Sequence, residues 1–291
     1  MRRFVLLAAA LTAAPALAGV TVDGSRDATY GAAVSVQTNG TQFGNATIGQ
    51  LGFADGSELD AAYGRVNGGA LNLLLTGNLE SNFNKVEIFI DSVGGGQGTL
   101  RGDNPDVDFN GLNRMAGLIF DNGFEADHYI TATNGDTGGG TYQLFANYAQ
   151  VLTGGGGSGM FLGGASHTPA QIVGPNGIVL SMNNSNTLGV NSLGNPNDSA
   201  PDSVTTGLEV SIPLSVLGGS GPFKIVAFVN GGGHDFASNQ WLGALPAGFG
   251  NLGEPTTINL KNIDGDQFFI VVPEPSSLLA LLAGAALLRR R

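Results

Sequence analysis

Asp106-Val107-Asp108-Phe109-Asn110-Gly111 places hard oxygen ligands at alternate positions and a glycine at the sixth. That is the opening half of a calcium loop, D-x-D-x-N-G, in which the glycine lets the chain bend around Ca²⁺. Asp103 and Asn104 bring further oxygens just upstream. Position twelve, where a bidentate Glu belongs, is Gly117, and no helix pattern flanks the loop. Asp106, Asp108 and Asn110 are therefore the candidate ligands of a Ca²⁺ site, with no cofactor otherwise indicated. The competing reading is a loop whose Asx side chains bond their own backbone. A second acidic turn, Asn262-Ile263-Asp264-Gly265-Asp266, reads more simply as a tight turn before a final strand.

Other residues offer less chemistry. The histidines His128, His167 and His234 show neither H-x-x-x-H nor H-E-x-x-H spacing, which leaves zinc without a ligand pattern. No G-x-S-x-G elbow marks a nucleophile. Glu58 and Asp60 would do glycosidic chemistry only if a cleft held them. Gly154 to Gly157 lacks the Lys of a phosphate loop. Arg101-Gly102-Asp103 matches an adhesion tripeptide by composition alone. Trp241, the single tryptophan, falls in a Gly-, Pro- and Asn-rich stretch from Gly231 to Thr257. There it would either stack on a sugar or pin the loop to the core. The sequence thus carries no catalytic residue set, and a non-enzymatic protein is expected.

Strands must position these residues. Ala61 to Val66 and Ala70 to Thr76 flank Asn67-Gly68-Gly69, a strong hairpin signal. Lys85 to Asp91 alternates, with Val86, Ile88 and Ile90 on one face. Asp127 to Thr133 alternates again, with His128, Ile130 and Ala132 opposite Tyr129 and Thr131. Met115–Phe120, Thr141–Tyr148, Ile178–Met182, Leu208–Ile212, Phe223–Val229 and Gln267–Val272 complete the expected strands. One short helix, Pro213 to Leu217, has Pro in its first turn and Gly218 as its cap. Many short strands with Gly-rich turns predict an all-β fold, an antiparallel β-sandwich of jelly-roll type.

Composition agrees. Glycine accounts for 48 of 291 residues, more than double the usual share of about 7%. There is no cysteine, so no disulfide supports the body and the apolar core alone must hold it. One domain spanning residues 19–272 is long enough for that.

Both termini are expected to be processed. Met1-Arg2-Arg3, the apolar run Phe4 to Leu11, and Ala16-Leu17-Ala18 have the layout of a signal peptide in residues 1–18, cleaved after Ala18. The secretion machinery and a signal peptidase are the implied partners. At the other end, Pro273-Glu274-Pro275 precedes an apolar helix pattern from Leu278 to Leu288 and a terminal Arg289-Arg290-Arg291. Eleven residues at about 1.5 Å each cover only ~17 Å of a ~30 Å hydrocarbon core, a short anchor with its arginines on the cytoplasmic side. Without both ends, Lys and Arg fall from 12 to 7 and Asp and Glu from 23 to 22. The body then carries a net charge of −15, which repels nucleic acid and anionic membrane.

Residues 273–291 resemble the PEP-CTERM sorting signal of Gram-negative bacteria, through Pro273, Glu274, Pro275, the apolar run and Arg289 to Arg291. The resemblance implies an exosortase-type protease as partner, transient membrane anchoring, removal of the tail, and delivery to the cell surface or beyond. In the body, three stretches resemble bacterial carbohydrate-binding domains of the family 9 and DOMON-like type: Val22-Asp23-Gly24 to Tyr30, Glu87 to Asp91, and Leu208-Glu209-Val210-Ser211-Ile212-Pro213-Leu214 with Leu217-Gly218. That resemblance implies a β-sandwich and a carbohydrate ligand such as exopolysaccharide. The expected protein is an exported surface or extracellular-matrix protein. The alternatives are a carbohydrate-binding module and a polysaccharide hydrolase.

Overall fold

A computed structural model describes residues 19–43, 57–138, 142–166, 169–186 and 200–273. The signal residues Ala16 and Ala18, His167, and the tail from Glu274 to Arg291 lie outside the described residues. Among the described residues no helix is long and apolar enough to cross a membrane.

The chain alternates between two antiparallel sheets. β1 (Ser35–Val36) edges β2 (Glu58–Asn67), which turns into β3 (Ala70–Asn78). Asn67 pairs with Ala70, so Gly68-Gly69 is a two-residue turn. Their φ angles of 59° and 81° are those of a hairpin turn that only glycine enters freely. β4 (Asn82–Asp91) crosses to the second sheet. A long excursion containing α1 (Gly111–Arg114) follows, and then β5 (His128–Gly135), β6 (Gln143–Gln150) and β7 (Gly159–Ser166) meander outward. β8 (Ala170–Val173), β9 (Val179–Met182) and β10 (Gly207–Pro213) return to the first sheet. α2 (Leu214–Leu217) leads to β11 (Phe223–Asn230), β12 (Ala237–Leu242) and β13 (Phe269–Val271). The orders are β1-β2-β3-β10-β9-β8 and β12-β11-β4-β5-β6-β7, with β13 on the same edge of β11 as β12. The sheets stack as a β-sandwich.

The period of two explains the core between them. Val86, Ile88 and Ile90 on β4 and Ile130 and Ala132 on β5 face Leu71, Leu73 and Leu75 on β3 and Leu208, Val210 and Ile212 on β10. Each fully buried aliphatic side chain contributes roughly 1.5–3 kcal/mol. The helix cap is as expected, with Gly218 at φ 69° closing α2.

The second sheet is buried on its outer face as well. Phe89, Tyr129, Phe228 and Trp241 lie there under a second apolar cluster with Leu112, Met115, Leu118 and Phe120. This corrects the expectation of a strand at Met115–Phe120. Gly117 breaks the run with φ 104°, and a side chain there would come within 2.8 Å of the Thr256 carbonyl. Met115, Leu118 and Phe120 plug the sheet from above, and the segment is tied by isolated bridges of Ile119 to Thr99 and Asn259 instead of a continuous strand ladder. β12 is the second correction, because the stretch expected to be loop contains a strand. Its residues Ser238, Asn239 and Gln240 are buried. The side chains of Asn239 and Gln240 donate to the Gly40 and Asn39 carbonyls, with Gln37 and Asn39 in turn donating to carbonyls of β12 and of the loop after it. That pairing across ~200 residues is invisible to local pattern.

Candidate functional cleft

Part of the second sheet's outer face is left open. Alternation turns Lys85 and Glu87 on β4, Thr133 on β5, and Phe145 and Asn147 on β6 away from the central core. The loop from Asp106 to Gly111 covers Glu87 and stops. Beyond it lies a cleft of about 440 Å³ lined by Phe83, Lys85, Asp108, Phe109, Thr133, Thr137, Phe145, Asn147 and Phe161. Four phenylalanines surround it. Phe109 is 90% exposed and Phe161 57%, an unusual cost for apolar rings without a partner.

The floor is a line of charges. Tyr129 Oη donates to Glu87 Oε2 at 2.7 Å, and Asn230 Nδ2 donates to Oε1 at 3.1 Å. His234 Nδ1 donates to the same Oε1 at 2.7 Å, and His234 Nε2 donates to Asp108 Oδ2 at 2.9 Å. Lys85 Nζ reaches Asp108 Oδ2 at 2.9 Å and donates to Thr133 Oγ1 at 3.0 Å. Two cations and two anions therefore balance beneath the cleft. Desolvation pulls the His234 pKa down, but Glu87 and Asp108 outweigh it and hold His234 at about 9. Burial would raise the carboxyls of Glu87 and Asp108, yet His234 and Lys85 (with Tyr129 on Glu87) hold both below their ordinary values. With both ring nitrogens donating, His234 has no lone pair for proton abstraction.

Backbone strain collects at the same place. Five non-glycine residues here have left-handed φ: Phe83 (72°), Asp108 (45°), Phe109 (55°), Asn110 (64°) and His234 (60°). Each costs of order 1 kcal/mol or more and persists only where its surroundings enforce it. The ion pairs of Asp108 and His234 are that enforcement. A β-bulge supplies it for Phe83, since the pairing jumps from Asn82–Gly135 to Lys85–Thr133. The ring then lies over Gly135, where any Cβ would collide with it. Gly111 is constrained likewise: a Cβ there would fall inside the His234 ring.

The sequence-predicted ligands are only partly together. Asp108 turns its carboxylate inward to Lys85 and His234. Asn110 accepts from Asn113 through Oδ1 at 2.7 Å, and Asp106 is exposed. Asp108 and Asn110 therefore serve separate partners, and among the described residues no group of three or more His, Cys, Asp or Glu is arranged to hold a metal ion. Trp241 is not available for stacking on a ligand. It is fully buried, lies 4.1 Å from the Phe228 ring and donates Nε1–H to the Ser238 carbonyl. It pins the sheet to its cover, the core role its sequence position also allowed. His128 is buried between Tyr148 Oη and the Leu217 carbonyl, and burial lowers its pKa. Arg101 and Asp103 form a solvent-exposed ion pair. Gly265 at φ 88° makes the second acidic segment a tight turn. Pro273 closes the described chain just beyond β13.

Sequence reasoning missed Lys85, Glu87 and His234 as a unit. The available signal was two charges on the non-core face of an otherwise apolar strand. No protein-family model, curated protein or solved structure matches the chain.

Proposed function

We propose that this chain is an exported, non-catalytic β-sandwich, jelly-roll-like in its path, that binds a polysaccharide segment in the cleft on its second sheet. The observation that carries the reading is the set of exposed rings, Phe83, Phe109 and Phe161, with Phe145, around a floor of Lys85, Asp108, Thr133 and Asn147. Flat apolar faces of a pyranose stack on aromatic rings while its hydroxyls meet fixed donors and acceptors. Among the described residues Asp108 is the only carboxylate lining the cleft, and two cations hold it, whereas glycoside hydrolysis needs a facing pair of carboxyls. The signal-like N-terminus and the segment from Pro273 to Arg291 support export, exosortase processing and delivery to the cell surface or extracellular matrix. There exopolysaccharide is the ligand to hand.

The test is retention on a glycan array and on immobilised exopolysaccharide. Covering half of one ring removes roughly 75 Å² of apolar surface from water, worth about 2 kcal/mol. Phe109→Ala therefore weakens binding roughly 30-fold and, because the ring is exposed, leaves the melting temperature unchanged. Retention of no glycan at sub-millimolar concentration, or release of reducing ends from a bound polysaccharide, overturns the proposal. The processing half predicts that protein from the native host lacks Arg289 to Arg291 by intact mass; a mature form that keeps Arg291 contradicts it.

A further inference from the structure

The second sheet ends in a free edge. β7 closes its strand order, and among the described residues β7 pairs with β6 alone. Gln150 N–H donates to the Ser158 carbonyl at 2.8 Å. Alternation along the ladder then bonds Met160 to Tyr148 and turns the N–H and C=O of Gly159 and Phe161 outward. The other edges are short or occupied: β1 has two residues, β8 has four, and Ala237 on β12 exchanges bonds with Leu252 and Gly253. Long edges are usually blunted by Lys, by Pro or by a covering segment. Gly-Met-Phe-Leu-Gly-Gly-Ala-Ser on β7 has neither residue. Its one irregularity is a bulge between the pairs Ala146–Gly163 and Asn147–Phe161, which twists the strand without adding charge.

The lack of charge extends well past β7. No Asp, Glu, Lys or Arg occurs from Thr137 to Asn197, although charged residues make up 12% of the chain. That stretch builds β6 to β9, so the last two strands of each sheet at this end are uncharged. β7 and β8 lie against each other there, since a Cβ on Gly163 would stand 3.0 Å from the Ile172 side chain. One flank of the sandwich is therefore neutral on a body of net charge −15. Phe161 on β7 is 57% exposed and Val173 on β8 69%. At the end of the flank Gly156 N–H donates to the Asp103 carbonyl, and Asp103 is already neutralised by Arg101.

We propose that the β7 edge docks a second copy of this chain, the two β7 strands pairing antiparallel about a twofold axis normal to the sheet. Like charge makes two such acidic bodies repel over the rest of their surface, and the neutral flank is where they approach without opposing carboxylates. Antiparallel pairing is isologous, so it closes after two copies and leaves neither β7 edge open. The outward N–H and C=O groups of Gly159 and Phe161 find partners in their own counterparts. The same axis brings the two Phe161 rings to the seam and keeps both clefts on one side of the joined sheet. The pairing does not depend on what the cleft binds.

The experiment follows the full chain by sedimentation velocity from about 1 to 100 µM, the range of a small, weak interface. The parent forms a dimer within it. Phe161→Lys sets like charges across the seam and weakens the dimer by at least about 30-fold, while the half-exposed site keeps the fold, as thermal unfolding checks. Phe161→Glu does the same, and mixing the two variants restores association. Val173→Lys, on the neighbouring β8 edge, leaves the dimer intact. A parent that stays monomeric at the highest concentration overturns the proposal. So does a dimer that survives Phe161→Lys, as association through the apolar C-terminal run would. A mixture that stays monomeric, or a dimer lost on Val173→Lys, also overturns it by moving the seam off β7.

Discussion

Raising the pH should weaken this protein through His234, and the His234 share is read as the difference between the parent and a His234 variant. Its pKa in the fold is about 9, against about 6.5 in an unfolded chain. The folded state therefore holds the proton more tightly, and the associated stability is fully present below pH 6.5 and lost as the pH rises through 9. A difference of about 2.5 units is worth at most about 3 kcal/mol. That is a large part of a typical net stability of 5–15 kcal/mol. Glu87 and Asp108 have lowered pKa values, so their contribution is present above their unfolded values and disappears in acid. The network is thus strongest between about pH 4.5 and 6.5. His128, whose pKa is lowered, costs stability as the pH falls through 6.5, so it acts at the acid end of the range and equally in parent and variant. The assay is urea unfolding at half-unit steps from pH 6 to 9.5, in the parent and in His234→Gln. The parent loses about 3 kcal/mol more across the window than the variant does. The variant starts lower, since Glu87 loses a charged partner, and keeps only the slope set by other groups, Glu58 with its raised pKa above all. The same slope in both proteins refutes the charged-histidine account.

Two further outcomes follow from close packing. Gly111→Ala pushes a methyl group into the His234 ring, so it should destabilise by about 1–3 kcal/mol and flatten the same pH profile; a neutral effect by urea unfolding would mean the turn relaxes freely. Trp241→Ala empties the site beside Phe228 and should cost about 3–5 kcal/mol. In the parent, Trp241 emission should be that of a dry, buried indole and should not change when glycan binds. Quenching by ligand would put the binding surface on β12 instead of the cleft.

How much of this was readable from the chain differs by element. The hairpin at Gly68-Gly69, the alternating strands β4 and β5, and the capped turn Leu214–Leu217 were legible because local chemistry decides them. β7 was hidden because Gly159, Gly163 and Gly164 read as loop, and β12 because Ser238-Asn239-Gln240 are polar yet buried by partners near residues 37–42. At the cleft, Asp108 stood out as a candidate ligand, but the partners that hold it come from β4 and from the turn after β11.

By itself, the sequence determined the class of fold and the absence of a disulfide support, since periodicity and cysteine count are properties of the chain alone. Only the tertiary structure decided which charges meet. Lys85, Glu87, Asp108 and His234 are dispersed along 150 residues, and the energy of a buried charge depends on what lies within a few ångströms, a distance that strand pairing sets and sequence spacing does not.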